Sequence, residues 1–294
     1  MTQHNTLRNL SVSLAMRRQI ISLEQSKTIG HGINILIKYK VNALLTVDTS
    51  QQPVGVVSKT DIMGAYYAGL PIDAPLEHVM VSPPLLCKAG DSLEAALEQM
   101  RMNRVYRLFV IDDQSDDLVG ALAYPDIVGL LYKYCRECDY SNLNRSRQIN
   151  EKDVVHRLIV RERMTIGVKS LQMHQSLNVI MEALSAYKFG AMLITDEKGL
   201  PRGVISKTDL ALAYKRGVSQ DENAGMVMST PVHTCDADLL LEEAIKKMIV
   251  EDIHRLFVHE GSTNTLVGVL SLSDAARGRS GSCHGCVSSR IKIE

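Results

Sequence analysis

A chain of 294 residues is long enough for about two domains, each with a core of its own. Its 33 lysines and arginines balance 33 aspartates and glutamates, so no bulk field draws it toward nucleic acid or an anionic membrane, although a local phosphate site stays open. The polar stretch Met1 to Ser22 carries Arg17 and Arg18 and no long apolar run; it is predicted to be neither a signal peptide nor a membrane span, which with six cysteines points to a reducing cytoplasm.

The chain repeats itself. Gly55-Val56-Val57-Ser58-Lys59-Thr60-Asp61 returns 148 residues later as Gly203-Val204-Ile205-Ser206-Lys207-Thr208-Asp209. The same offset relates Met16 to Met164, Met80 to Met228, Gly120 to Gly268, and Arg107-Leu108-Phe109-Val110 to Arg255-Leu256-Phe257-Val258. Inside it lies a period of 65 residues, relating Asp61 to Asp126 and Asp209 to Asp274. Fixed periods mark repeated supersecondary units, here four units in two pairs.

In chain order, Ser26 to Lys40 sets Ile29, Ile33, Leu36 and Tyr39 at helical spacing, and Asp91 to Met102, Gln175 to Tyr187 and residues 236 to 251 do likewise. Each is followed by an apolar run short enough to be a buried strand: Ala43 to Val47, Leu108 to Ile111, Ala191 to Ile194 and Leu256 to Val258. Turn formers at Asp48 to Pro53, Asp112 to Asp117, Asp196 to Pro201 and Gly261 to Asn264 lead into a second apolar run at each repeated glycine, which predicts hairpins. A Ser-x-x-Asp element then opens another helix, as at Asp61 to Ala68 and Asp209 to Tyr214. The reading is an α/β (α+β) chain of helix-strand-strand-helix units. Units at about 10–70 and 75–134 form a first module, 7–134, and units at about 158–218 and 223–280 form a second, 155–282. Residues 135–154 read as an exposed linker and 283–294 as a tail.

A strand, then Ser-x-Thr-Asp, then a helix sets hydroxyls and a carboxylate where helix N–H groups lack partners and the dipole is positive, a place suited to anions. The aspartate is also suited to accept from two vicinal ribose hydroxyls. In a single copy, Ser-x-x-Asp reads first as a helix cap. The recurrence of aspartate at Asp61, Asp126, Asp209 and Asp274, even where the hydroxyls before Asp126 are lost, shifts the weight toward a ligand.

On these residues the chain resembles the CBS-domain family, named for cystathionine β-synthase, with four CBS units in two pseudo-symmetric tandem modules over about residues 10 to 280. The closing unit, His254-Arg255-Leu256-Phe257-Val258 followed by Gly268-Val269-Leu270-Ser271-Leu272-Ser273-Asp274, is similar to the last repeat of the gamma subunit of AMP-activated protein kinase. What the resemblance implies is a non-catalytic sensor that binds AMP, ADP, ATP or S-adenosylmethionine in clefts between paired units and conveys the ligand state to an effector protein. It assigns ribose to Asp61, Asp126, Asp209 and Asp274, and hydroxyl contacts to Ser58, Thr60, Ser206, Thr208, Ser271 and Ser273. It assigns phosphate to His254 and Arg255 and, less fully, to Tyr106 and Arg107, with adenine bordered by Val41 to Ala43 and Phe189 to Ala191. Two departures stand out: Ala123-Tyr124-Pro125-Asp126 has no serine or threonine, and Phe109 and Phe257 stand where many members have proline.

Read without the resemblance, Arg107 and Arg255 are equally arginines paired to carboxylates such as Asp112 or Glu251, and Lys59 and Lys207 are either phosphate ligands or exposed charges. All six cysteines obey the 148-residue offset, which pairs Cys87 with Cys235 and repeats Cys135-x2-Cys138 as Cys283-x2-Cys286. Two Cys-x2-Cys pairs offer four thiolates to zinc or an iron-sulfur cluster, so a metal- or redox-responsive scaffold is a rival reading. A structural interaction module with empty clefts is another. Cys87 and Cys235 read as small buried hydrophobes. No Gly-x-Ser-x-Gly elbow, phosphate loop ending in Gly-Lys-Ser/Thr, or His-Glu-x-x-His is present, so no catalytic residue is assigned. A homodimer is compatible with this reading.

Overall fold

The computed structural model describes residues 9–137 and 158–279. A short helix, α1 (Val12–Ala15), precedes the first copy of the repeat, which runs β1 (Ser22–Glu24), α2 (Ile29–Lys38), β2 (Ala43–Val47), β3 (Pro53–Ser58) and α3 (Lys59–Tyr67). The second copy is β4 (Leu86–Lys88), α4 (Leu93–Met102), β5 (Arg107–Ile111), β6 (Leu118–Ala123) and α5 (Tyr124–Glu137). After a two-residue strand, β7 (Thr165–Ile166), the third copy is β8 (Ser170–Gln172), α6 (Leu177–Ala186), β9 (Ala191–Thr195), β10 (Pro201–Ser206) and α7 (Lys207–Lys215). The fourth is β11 (Thr234–Asp236), α8 (Leu241–Val250), β12 (Arg255–Glu260), β13 (Ser262–Ser271) and α9 (Leu272–Arg279).

In every copy the hairpin is antiparallel and the short first strand lies parallel beside its inner strand; β7 adds an edge to β13. The mixed α/β class and the four units are as the repeat predicts. The short first strands are an addition, because three residues carry too little alternation to be read from sequence. Helix α8 starts at Leu241 and not at 236, since Asp236 closes β11 and its Oδ1 accepts from the Asp238 N–H at 2.9 Å, a local turn that competes with helix. The last hairpin turns at Gly261, φ +66°, so Ser262 to Asn264 belong to β13 and not to the turn. Helix α5 continues through Glu137, past the expected start of the linker at 135; residues 138–157 of that linker and the tail 283–294 lie outside the described residues.

Two compact units form, and they cut across the modules 7–134 and 155–282. Among the described residues, one gathers 20–84 and 168–232, the first and third copies; the other gathers 9–19, 85–137, 158–167 and 233–279, the second and fourth. The reason lies in the helices that follow the hairpins. In the first-and-third-copy unit, α3 presents Ile62, Met63, Ala65 and Tyr66 and α7 presents Leu210, Ala211, Ala213 and Tyr214, all buried in one core with Ile33, Leu36, Ile180 and Leu184. The rings of Tyr66 and Tyr214 stack at 4.9 Å, 14° from parallel. Their hydroxyls donate reciprocally, Tyr66 to the Val218 carbonyl at 2.7 Å and Tyr214 to the Leu70 carbonyl at 2.6 Å. Burial raises the pKa of both phenols, so they remain neutral donors. In the other unit, α5 packs with α8 and α9 around Ile127, Val128, Leu131, Ile245, Met248, Ala275 and Ala276.

Each repeated glycine is required by a backbone that crosses it. A Cβ on Gly203 would stand 2.8 Å from Met228 Sδ and 2.8 Å from the Ser229 carbonyl oxygen; on Gly268 it would stand 2.7 Å from Met164 Sδ and 2.7 Å from the Thr165 oxygen. Gly55 meets Met80 and Val81, and Gly120 meets Met16 and Arg17, in the same way. The crossing segments pair with the strands through Val56 with Val81, Ala121 with Arg17, Val204 with Ser229 and Val269 with Thr165.

Cys87 and Cys235 are buried in β4 and β11, as expected of small hydrophobes. Burial first and Asp91 second push the Cys87 thiol up to about 12. Burial pushes Cys235 up to about 11, with Lys247 opposing.

Gly203→Ala is expected to destabilise the protein by about 1–3 kcal/mol through overpacking, whereas Gly64→Ala, in α3 with nothing within 4 Å of the new methyl, should be neutral or stabilising by up to about 1 kcal/mol from helix propensity. Urea unfolding of the two variants checks the contrast. Mapped thiol alkylation at neutral pH should spare Cys87 and Cys235 in the folded chain and label both after denaturation, because neither is a thiolate while buried.

Candidate functional site

The four aspartates occupy one local geometry. Each strand after the turn ends at the residue that precedes a helix, and the aspartate three positions on turns one oxygen back to that residue's N–H. Ser58 N–H donates to Asp61 Oδ2 at 2.7 Å, Ala123 N–H to Asp126 Oδ2 at 2.9 Å, Ser206 N–H to Asp209 Oδ2 at 2.7 Å and Ser271 N–H to Asp274 Oδ2 at 2.9 Å. Where the preceding residue is serine, its hydroxyl also donates to Oδ2, at 2.7 Å for Ser58 and 2.6 Å for Ser206 and Ser271. The same serine oxygen accepts helix N–H groups, from Thr60 and Asp61 in α3 and from Thr208 and Asp209 in α7. The cap reading of the motif is therefore realised in full, and it engages Ser58, Ser206, Ser271 and one carboxylate oxygen of each aspartate.

The second oxygen distinguishes the copies. Asp61 Oδ1 and Asp274 Oδ1 accept no hydrogen bond among the described residues; both side chains are partly buried, and each is held by its other oxygen. Asp209 Oδ1 accepts from the Ser229 hydroxyl at 2.6 Å. Asp126 Oδ1 is bound by Arg17 Nε; the Asp126 side chain is 4% exposed and the Arg17 side chain 59%. Ser229 and Arg17 stand at equivalent places, on the segments that cross the repeated glycines, where the first copy has Val81 and the fourth has Thr165. Sequence reasoning missed both. Its only signal was the methionine recurring at Met16, Met80, Met164 and Met228 beside them.

The two compact units surround this motif with different cations. In the second-and-fourth-copy unit, Arg107 and Arg255 start β5 and β12, opposite Ala123 and Ser271 in register, which sets both guanidinium groups at the motif end of the sheet. Tyr106 and His254, one residue earlier, stack at 6.0 Å and 20°, and Tyr106 meets the edge of Tyr124 at 5.0 Å. Burial raises the Tyr106 phenol, Arg255 opposing, and keeps it a neutral donor. Burial lowers the pKa of both arginines, with Asp126 pulling Arg107 back up and Asp274 doing so for Arg255. Arg107 Nε is buried and has no acceptor among the described residues. Asp112 instead accepts the backbone N–H groups of Gln114 and Ser115, and Glu251 lies 3.2 Å from His233 Nδ1. Phe109 and Phe257 are core residues of the inner strands.

In the first-and-third-copy unit the residues in register with Ser58 and Ser206 are Ala43 and Ala191, which carry no charge. Lysine supplies it. Lys59 Nζ donates to Thr208 Oγ1 at 2.9 Å and Lys207 Nζ to Thr60 Oγ1 at 2.8 Å. Burial raises the pKa of Asp61; the Ser58 hydrogen bonds and the charge of Lys207 oppose it. Val41 is buried, and Phe189 stacks on Tyr187 at 5.5 Å.

Among the described residues no group of three or more His, Cys, Asp or Glu side chains could hold a metal ion. Cys138, Cys283 and Cys286 lie outside the described residues, and Cys135 is placed only as a position on α5. No described helix is long and apolar enough to cross a membrane.

Comparison with known families matches the CBS domain to residues 10–68, 76–133, 149–216 and 224–281. The chain aligns with inosine-5'-monophosphate dehydrogenase of Methanocaldococcus jannaschii at 28% identity over 111 residues, 38% of this chain and 21% of that one. It aligns with an uncharacterized protein of Methanopyrus kandleri at 33% over 87 residues, 29% of this chain and 44% of that one. The matched segment spans less than half the length of either relative. Among solved structures, a Methanocaldococcus jannaschii protein described as a candidate archaeal homolog of g-AMPK superposes with a TM-score of 0.74 at 15% identity, covering 92% of this chain and 99% of that one. An uncharacterized conserved protein of Pyrococcus horikoshii gives a TM-score of 0.59 at 17% identity, with coverage of 92% and 99%. These two likenesses concern the fold. Four family matches that together span most of the sequence, each containing one of the four motif aspartates, make this chain a member of the CBS-domain family.

Proposed function

We propose that the chain is a non-catalytic regulatory protein that binds an adenosine-containing ligand, AMP, ADP, ATP or S-adenosylmethionine, at the strand-to-helix motifs and presents the bound state to an effector protein. The observation that carries this reading is the second oxygen of Asp61 and of Asp274, which accepts no hydrogen bond among the described residues, on carboxylates held by the helix cap through their other oxygen. A carboxylate fixed before the ligand arrives accepts from a ribose hydroxyl without an ordering cost. The buried Arg107 Nε adds support, since a desolvated donor that lacks an acceptor favours an anionic partner.

The motifs are unequal on this reading. The fourth, with Asp274, Ser273, His254 and Arg255, has both an open carboxylate oxygen and a guanidinium at its end of the sheet. The first has Asp61 and Thr60. The third requires Ser229 to leave Asp209 Oδ1. In the second, Arg17 already fills the position on Asp126 that a ribose would take. A ligand acts on an effector only through its differential affinity for two states of the chain.

Ligand at about a hundred times its dissociation constant adds roughly 2.7 kcal/mol, and at about 2–4 °C per kcal/mol this predicts a rise of several degrees in Tm with AMP. Asp274→Ala and Asp61→Ala should each shrink that rise measured from the variant's own baseline, which itself falls by about 1 kcal/mol with the cap. Asp126→Ala should keep it. Unchanged rises in Asp274→Ala and Asp61→Ala would remove the ribose assignment. In calorimetric titrations, Arg255→Met should weaken AMP by roughly tenfold or more while altering adenosine far less, because the guanidinium meets the phosphate alone.

A further inference from the structure

We infer that in the first-and-third-copy unit the two motif lysines are exchanged, so that Lys207 meets the phosphate of a nucleotide held by Asp61 and Lys59 meets the phosphate of one held by Asp209. This rests on the adenosine-ligand reading above and adds which side chain serves which site. Each lysine starts its own helix, one residue before the motif threonine, yet each reaches the threonine of the other copy: Lys59 Nζ to Thr208 Oγ1 at 2.9 Å and Lys207 Nζ to Thr60 Oγ1 at 2.8 Å. Thr60 and Thr208 adjoin Asp61 and Asp209 in sequence, so each lysine is tied to the helix start that carries the opposite aspartate. The charge of Lys207 bears on Asp61.

Charge is needed there. The strand positions that carry Arg107 and Arg255 in the other unit are Ala43 and Ala191 here, and the helix positions that carry Lys59 and Lys207 here are Tyr124 and Leu272 there. Each unit thus brings a repeated pair of cations to its motifs, from the strand start in one, where Arg17 adds a third on Asp126, and from the helix start in the other. The ammonium is a mobile point charge on a flexible stem. It can pass from a neutral threonine hydroxyl to a phosphate oxygen, a stronger acceptor, without leaving its place.

The test isolates one site at a time in the full chain, with Asp274→Ala throughout to silence the fourth motif. Adding Asp209→Ala leaves the Asp61 site, and adding Asp61→Ala leaves the Asp209 site. Into each background go Lys59→Met and Lys207→Met, and binding of AMP and of adenosine is measured by isothermal titration. With the Asp61 site alone, Lys207→Met should weaken AMP roughly tenfold more than Lys59→Met does. With the Asp209 site alone, the order should invert. Adenosine has no phosphate, so its affinity should survive every lysine change and certifies that each variant is folded. The same-copy lysine having the larger effect, or both lysines having none, overturns the exchange while leaving the ribose assignment intact. Absence of AMP and adenosine binding to the unmodified chain overturns both.

Discussion

The structure depends on a carboxylate that a helix cap holds through one oxygen and leaves the other for a neighbour. In all four copies the aspartate accepts the backbone N–H where strand gives way to helix, at 2.7–2.9 Å. That bond satisfies a donor the helix leaves without a partner and places negative charge at the positive end of its dipole. It also removes the rotational freedom of the side chain. The second oxygen is therefore aimed by folding, and what each copy does with it follows from a single neighbouring position. Val81 leaves the oxygen of Asp61 open, Ser229 takes that of Asp209, and Arg17 takes that of Asp126.

The glycine next to the motif belongs to the same constraint. Its missing Cβ lets the methionine-bearing segment lie against the strand within 2.7–3.0 Å of where a side chain would begin. That segment carries the residue which opens or closes the carboxylate. Gly55, Gly120, Gly203 and Gly268 thus couple packing to site chemistry, although none has a functional group of its own. The cations follow a separate logic. One unit uses buried arginines whose desolvation favours an anionic partner, and the other uses half-buried lysines that exchange hydrogen bonds with threonines. Duplication has kept the capped aspartate and varied the cation beside it.

Much of this was legible in the residues. The 148- and 65-residue periods predict four units, and the helices and hairpins fall where the apolar spacing sets them, apart from the three-residue first strands, the start of α8 and the turn of the last hairpin. The motif aspartates were legible as well, both as caps and as candidate ribose acceptors. The rival carboxylates for the arginines, Asp112 and Glu251, have other partners, and the reason is local: Asp112 closes its own turn and Glu251 lies beside His233.

By itself the sequence determined the main helices and hairpin of each copy, the family, and the side chains available at each motif, because these depend on residues a few positions apart or on an internal repeat. Which copies share a core was decided only in three dimensions. Helices α3 and α7 are equivalent by the repeat, yet nothing in either says that Tyr66 will stack on Tyr214 across 148 residues of chain. The same holds for Arg17 on Asp126 and for the crossed lysines. Their partners are chosen by which backbones are brought within hydrogen-bond reach, and that distance is a property of packing, invisible to spacing along the chain.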